Sequence, residues 1–192
     1  MRIAWVQDMD PMTCDGGAQL NDRAMIEEGI RRGHSIRIVI PGDDKAALGM
    51  HLAIVSNHVQ FGTGFFDMLL KERIPYIFFE HDYVKTCKWR LFYPMEPRCK
   101  SLCFLRERWG PYLLQSRKII WLSPLHRWAW TWAYPSLSKH PFALVPSALD
   151  PALFPNLGKA RAGAIAVNSG ALFKGWGLVK RWAESNPGVR LT

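Results

Sequence analysis

The sequence of 192 residues is poor in several features that define particular classes of protein. Its four cysteines are too few for the disulfide framework of a secreted domain. The most apolar stretch, 119–134, is interrupted by His126 and Arg127 and is shorter than the ~18 apolar residues of a membrane span. The first residues form too short an apolar run for a signal peptide. We therefore expect a reduced, cytoplasmic protein, with peripheral attachment to a membrane as an open alternative.

Acidic residues are scarce in the second part of the chain. Residues 1–83 carry 8 basic and 12 acidic side chains, whereas residues 84–192 carry 17 basic and 4 acidic ones. Residues 85–139 alone contain 11 basic, 2 acidic and 6 tryptophan residues. This composition predicts a basic surface and is typical of proteins that bind nucleic acid or an anionic membrane, although a merely solvated basic face has the same composition. Trp121, Trp128 and Trp132 are expected to belong to the core.

Short apolar runs alternate with helical patterns along the chain. We predict strands at 3–6, 36–40, 52–55, 74–79, 119–122 and 142–145, and helices at 21–32, 64–73, 102–114 and 125–134. The first helix should bury Leu20, Ala24, Ile26 and Ile30, with Asn21 as its cap and Gly33 as its end. This order predicts a doubly wound, Rossmann-like α/β domain with a parallel sheet over residues 1–155. Residues 156–192 resemble an incomplete second βαβ unit.

Two loops could carry chemistry. Asp15, Gly16 and Gly17 lie between the first strand and helix, where glycines let an anionic ligand approach the helix N-terminus. Their spacing does not match the dinucleotide fingerprint, and a plain tight turn is the alternative.

Glu80, His81 and Asp82 follow a predicted strand directly, and ligands of open parallel sheets bind beyond the carboxyl ends of strands. His81 could act as a base or orient a hydroxyl, whereas a solvated loop is the alternative. Cys87, Cys99 and Cys103 lack the close pairing of a zinc site, so we expect free thiols and no metal.

Several segments resemble the amino-terminal half of family 4-like glycosyltransferases with the GT-B fold. They are the Gly16-Gly17 loop, residues 79–83, residues 119–123, residues 144–150 with Phe154-Pro155, and residues 169–175. The resemblance implies a nucleotide-sugar donor as substrate, no cofactor and no obligatory metal. It assigns residues 1–155 to an acceptor-side domain and residues 156–192 to the beginning of a nucleotide-sugar-binding domain.

The resemblance also implies roles for single residues. His81 and Asp82 would be catalytic, and the residues of the matching segments that would contact donor or acceptor are Gly16, Gly17, Glu80, Ser123, Lys174 and Gly175. Asp15, which precedes the two glycines, and Arg90, which follows His81 closely, are added to this set because of their positions. Lys174 would neutralise charge that develops on the donor diphosphate. The family usually has a basic residue shortly before this lysine, whereas this chain has Ala171, Leu172 and Phe173.

Two functions are consistent with these features. The first is transfer of a sugar to an acceptor hydroxyl; the basic half of the chain is compatible with a polyanionic acceptor such as modified DNA or a lipid-linked molecule. The alternative is a non-catalytic, truncated domain that binds nucleic acid or an anionic membrane through residues 85–139. Catalysis by this fold needs a cleft between two domains, so three alternatives are open: a homo-oligomer or a second chain completes the site, the sequence is a fragment of a longer protein, or the domain is kept for binding.

Overall fold

The structure, a computed structural model, describes residues 1–14, 16–86 and 102–146, together with residues 181, 184 and 185; at 102–104 it describes the backbone only. The chain separates into two compact units, Met1–Leu149 and Asp150–Thr192. In the second unit Arg181, Glu184 and Ser185 are helical and exposed, and the Ser185 hydroxyl donates to the Arg181 carbonyl at 3.0 Å. The other predicted elements of that unit lie outside the described residues.

The described part of the first unit contains six strands and four α-helices. The strands are β1 (Arg2–Val6), β2 (Ser35–Val39), β3 (Leu52–Val55), β4 (Tyr76–Glu80), β5 (Lys118–Trp121) and β6 (Phe142–Leu144). The helices are α1 (Gly17–Arg31), α2 (Thr63–Lys71), α3 (Leu102–Gln115) and α4 (Pro124–Ala133). Two short 3-10 helices, Asp44–Ala47 and Pro135–Lys139, precede β3 and β6.

The six strands form one sheet in the order β2-β1-β3-β4-β5-β6, and every pair is parallel. Parallel neighbours require crossover connections, which the helices supply here. The predicted α/β class with a parallel, Rossmann-like sheet is confirmed. No helix in the described residues is long and apolar enough to cross a membrane.

Helices cover both faces of the sheet. Trp5 and Phe79 pack with Ile26 of α1 on one face. Alternate residues of the same strands, such as Val6 and Phe78, point to the other face and pack with residues of α2, α3 and α4. The two-residue period of each strand therefore divides the core into a small cluster under α1 and a large cluster under the other helices.

The ends of α1 show one correct and one wrong prediction. The helix begins at Gly17 with Gly16 as its N-cap, so Asn21 is a buried residue inside the helix and not its cap. At the other end Gly33 has φ 81°, its N–H bonds to the Ile30 carbonyl at 2.8 Å, and the next residue bonds back to Gly29 at 3.1 Å. These bonds form a Schellman motif, which confirms Gly33 as the end of the helix.

Two predicted core faces are wrong. On α1, Leu20, Ala24 and Ile30 are exposed, and of the predicted face only Ile26 is buried. The other buried residues are Gln19, Asn21 and Asp22, since the helix packs a largely polar face toward the sheet. On α4, Trp128 and Trp132 are 50% and 40% exposed, so they are not core residues. Trp121, which was expected in the core, is fully buried on β5.

Candidate functional site

We call the carboxyl edge of the sheet between β1 and β3, where the direction of the strand order reverses, the crevice. The chain leaves β1 toward β2 through α1, whereas the connection from β3 continues in the opposite direction. Ligands of open α/β folds bind where neighbouring connections diverge in this way. Gln7 and Ser56 follow β1 and β3 at this edge, and His81 follows β4.

The carboxylate of Asp22 connects helix α1 with the residues that follow β3 and β4. It lies on α1, about 7–8 Å along the helix axis from Gly17, and its side chain is fully buried. The Ser56 hydroxyl donates to Oδ2 at 2.6 Å, and Nε2 of His81 lies 3.1 Å from Oδ1. Helix α1 and the ends of β3 and β4 are therefore connected by one carboxylate.

The contact with Asp22 determines which nitrogen of His81 carries the proton. A carboxylate only accepts hydrogen bonds, so Nε2 must be the donor. The lone pair of a neutral ring is then on Nδ1, for which the described residues provide no hydrogen-bond partner. The His81 side chain is 7% exposed and its ring packs 4.3 Å from that of Phe79. This arrangement suits a base that removes a proton from a hydroxyl.

Gln7 adds a polar group at the same edge. It is fully buried directly after β1, and within the described residues neither its amide oxygen nor its amide nitrogen has a hydrogen-bond partner. A buried polar atom without a partner costs about 1–3 kcal/mol. Such a residue at the crevice is a candidate for contact with a hydroxyl-rich ligand.

Two aspartates shape the loops around the crevice. The Asp8 carboxylate accepts the backbone N–H groups of Val59 and Gln60 at 2.7 and 2.8 Å, which fixes the loop after β3. Asp82 accepts the N–H of Val84 at 2.8 Å within its own turn. Asp82 therefore orders the loop that carries His81, and its catalytic role remains a prediction.

Glu80 turns away from His81 and forms a buried ion pair. Its Oε1 accepts from Nζ of Lys85 at 2.6 Å, and the two side chains are 3% and 2% exposed. Burial raises the pKa of Glu80, and the charge of Lys85 opposes that increase. Nζ of Lys85 lies 5.1 Å from the ring centre of Phe78 and 5.4 Å from that of Trp130. The structure thus gives Glu80 a partner in the interior.

Ser123 caps the N-terminus of helix α4. Its hydroxyl accepts the N–H of His126 at 3.1 Å as the N-cap, with Pro124 at the first helical position. The ring of His126 contacts Tyr83, and burial lowers the pKa of His126 to about 4. His126 is therefore a neutral ring that packs against the loop after β4.

The structure brings some of the predicted site residues to one edge of the sheet. His81 and Asp82 follow β4, and Gly16 and Gly17 begin the helix that carries Asp22. Asp15, Arg90, Lys174 and Gly175 lie outside the described residues. Within the described ranges, no three His, Cys, Asp or Glu side chains form a group that could hold a metal ion.

No protein-family model and no curated protein sequence matches this chain. The candidate site therefore depends on its own geometry: a histidine oriented by a buried aspartate at the carboxyl edge of a parallel sheet.

Proposed function

We propose that this chain is a glycosyltransferase-like protein that moves a sugar from a nucleotide-sugar donor to an acceptor hydroxyl. His81 is the candidate general base for that hydroxyl, and Asp22 positions its ring. The observation that carries the proposal is the 3.1 Å contact between Asp22 and Nε2 of His81, because it leaves Nδ1 able to accept a proton.

The surroundings of His81 support this assignment. The crevice has the place in the sheet at which open α/β proteins bind ligands, and Gly16 and Gly17 begin the adjoining helix. Buried polar groups such as Gln7 suit a substrate that is rich in hydroxyls. The resemblance to family 4-like glycosyltransferases supplies the donor class, with Lys174 and Gly175 as the proposed diphosphate contact.

Replacement of His81 by glutamine should abolish most of the activity. The full chain is incubated with a panel of UDP- and GDP-sugars and acceptors, and release of the nucleoside diphosphate is measured. We expect His81→Gln to lower turnover at least ~100-fold, because general-base catalysis contributes roughly 10²–10⁴. A glutamine amide can still donate to Asp22, so the melting temperature should change little.

His51→Gln is the matched control. His51 is an exposed histidine next to β3 at the opposite edge of the sheet, where Nδ1 accepts the N–H of Arg2 at 3.2 Å. This variant should keep wild-type turnover. The proposal fails if no sugar nucleotide is turned over and none changes the melting temperature; equal turnover in His81→Gln removes His81 from the site.

A second candidate function is binding of an anionic membrane surface or nucleic acid without catalysis. The observation that favours it is the exposed face of α4, where Leu125, Trp128 and Trp132 are 70%, 50% and 40% exposed and share one side of the helix. Arg117, Lys118 and Lys139 are exposed in the neighbouring segments. Tryptophan beside cationic side chains suits a membrane interface or a stack of bases.

Salt dependence distinguishes this second function from a merely solvated basic face. Co-sedimentation with phosphatidylserine vesicles and filter binding of duplex and single-stranded DNA should weaken steeply as salt rises. The double substitution Trp128→Ala/Trp132→Ala should weaken binding further at every salt concentration, whereas Leu48→Ala, at another exposed apolar site, should not. Equal binding to neutral vesicles, or no binding to any probe, contradicts the second function.

A further inference from the structure

A cavity of about 360 Å³ lies between the loop after β3 and helix α3. The side chains that matter for its chemistry are those of His58, Phe61, Lys85, Leu105, Arg108 and Trp109. Its volume is at the lower end of the range for pockets that hold small organic ligands. None of these residues belongs to the pair of His81 and Asp22.

The charged side chains in the cavity wall are cations. Lys85 is buried and its ammonium hydrogen-bonds to Glu80, which lies behind the wall, and Arg108 is exposed. The third titratable side chain, His58, has a pKa well below its usual value because of burial and the nearby Lys85 charge. The wall therefore presents the Lys85 ammonium, whose charge Glu80 balances, a neutral imidazole and the exposed guanidinium of Arg108, and this guanidinium favours an anionic group on the ligand.

The remainder of the wall suits a flat, apolar body. The indole of Trp109 and the ring of Phe61 are nearly fully buried, and Leu105 is partly buried beside them. The centres of the His58 imidazole and the Trp109 indole are 6.0 Å apart, and the two rings pack edge to face. Aromatic walls of this kind stack against planar ligands.

His58 also has an unsatisfied atom. Its Nδ1 hydrogen-bonds to the Ser56 carbonyl oxygen, so Nδ1 carries the proton and Nε2 is an acceptor. Among the residues that the structure describes, Nε2 has no hydrogen-bond partner, although the ring is only 3% exposed. A ligand with an N–H or O–H group could supply the missing donor after a small rearrangement.

We propose that this cavity binds a small ligand with a flat aromatic body and one anionic group, a phosphate or a carboxylate. The ring of the ligand packs against Trp109 and Phe61, and its anionic group faces Lys85 and Arg108. The site stands apart from sugar transfer, since it requires neither a nucleotide sugar nor His81.

Isothermal titration calorimetry of the full chain with 1-naphthyl phosphate tests the proposal, with 1-naphthol as the neutral probe. We expect the phosphate to bind at least tenfold more tightly than the naphthol, and Arg108→Gln to weaken phosphate binding about tenfold or more. Leu105→Trp replaces an aliphatic side chain of the cavity wall with a bulky indole, which fills the cavity and should abolish binding of both probes. No sugar nucleotide is present, so the result is independent of the proposed transferase activity.

Arg37→Gln is the matched control because Arg37 is also exposed and lies on β2, an edge strand of the sheet. It should bind 1-naphthyl phosphate as the wild type does. The proposal is overturned if neither probe binds at millimolar concentration, if the two probes bind equally, or if Arg108→Gln and Leu105→Trp both keep wild-type affinity. 1-Naphthoate and phenyl phosphate then show whether carboxylates are accepted and how large the ring must be.

Discussion

Lys85→Met should destabilise the folded protein by about 3–5 kcal/mol, because it leaves the Glu80 carboxylate buried without its counter-ion. Lys85 is 2% exposed, and its ammonium contacts Glu80 at 2.6 Å and the face of Phe78 at 5.1 Å. The methionine fits this apolar surrounding, so the loss comes from the unpaired charge. Urea unfolding of the variant at pH 7 gives the difference in free energy.

The double variant Glu80→Gln/Lys85→Met tests that explanation. It removes both charges and should recover most of the lost stability, whereas Lys118→Met, at an exposed lysine of β5, should stay within about 0.5 kcal/mol of the wild type. A loss below 1 kcal/mol in Lys85→Met, or a double variant as unstable as the single one, contradicts a role for the pair.

The loss of stability in Lys85→Met should depend on pH. Burial already raises the pKa of Glu80 in the folded protein, and loss of Lys85 removes the charge that opposes this increase. The folded state then binds a proton more tightly than the unfolded state does. The contribution of Glu80 to the stability of the variant is therefore greatest below the pKa of an unfolded glutamate, about 4.3. It falls as the pH rises through the pKa that Glu80 has in the folded variant. The deficit should shrink when unfolding is measured at acidic pH.

Asp22→Asn should lower kcat by about 100-fold or more and leave KM for the donor nearly unchanged. The amide of asparagine can turn its NH₂ toward Nε2 of His81, which then becomes an acceptor and moves the ring proton to Nδ1. That tautomer has no lone pair available for the acceptor hydroxyl. Steady-state kinetics of sugar transfer measure the effect, and the amide oxygen can still accept from Ser56, so folding should be kept.

A double-mutant cycle shows whether Asp22 acts through His81. In the His81→Gln background, Asp22→Asn should have little further effect on kcat, since the ring that it positions is gone. Additive losses would mean that Asp22 acts on its own or through folding. Ser56→Ala removes the other hydrogen bond to the carboxylate and should have a smaller effect on kcat than Asp22→Asn.

Much of the fold could be predicted because apolar residues recur at the spacing of strands and helices. The run that forms β1 and the β-branched residues of β2 were placed within one residue, and Gly33 indicated the end of α1. The failures occur where tertiary contacts override the local pattern. Leu20 and Ile30 suggest an apolar face that the structure leaves exposed, since α1 packs its polar face on the sheet.

The candidate site could be predicted only in part. His81 was identified because it directly follows a strand of a parallel sheet. Asp22 was missed because a polar residue within a helix is expected to face solvent, and only the packing of α1 brings it to His81. The pairing of Glu80 with Lys85 was also missed, since the four residues between them pass through an irregular loop whose path the sequence pattern does not specify. The glycosyltransferase resemblance stays a prediction.

The largely polar face that α1 packs against the sheet has a consequence for the motion of this helix. Ile26 is its one fully buried apolar side chain among the described residues, whereas α2 buries Phe65, Phe66 and Leu69. Segments with few buried apolar contacts open locally at lower free energy than the rest of a domain. We therefore expect the helix that carries Asp22 to open from the sheet at a lower free energy than α2, and the carboxylate moves away from His81 whenever it opens. Occupancy of the crevice would then be coupled to the closing of α1.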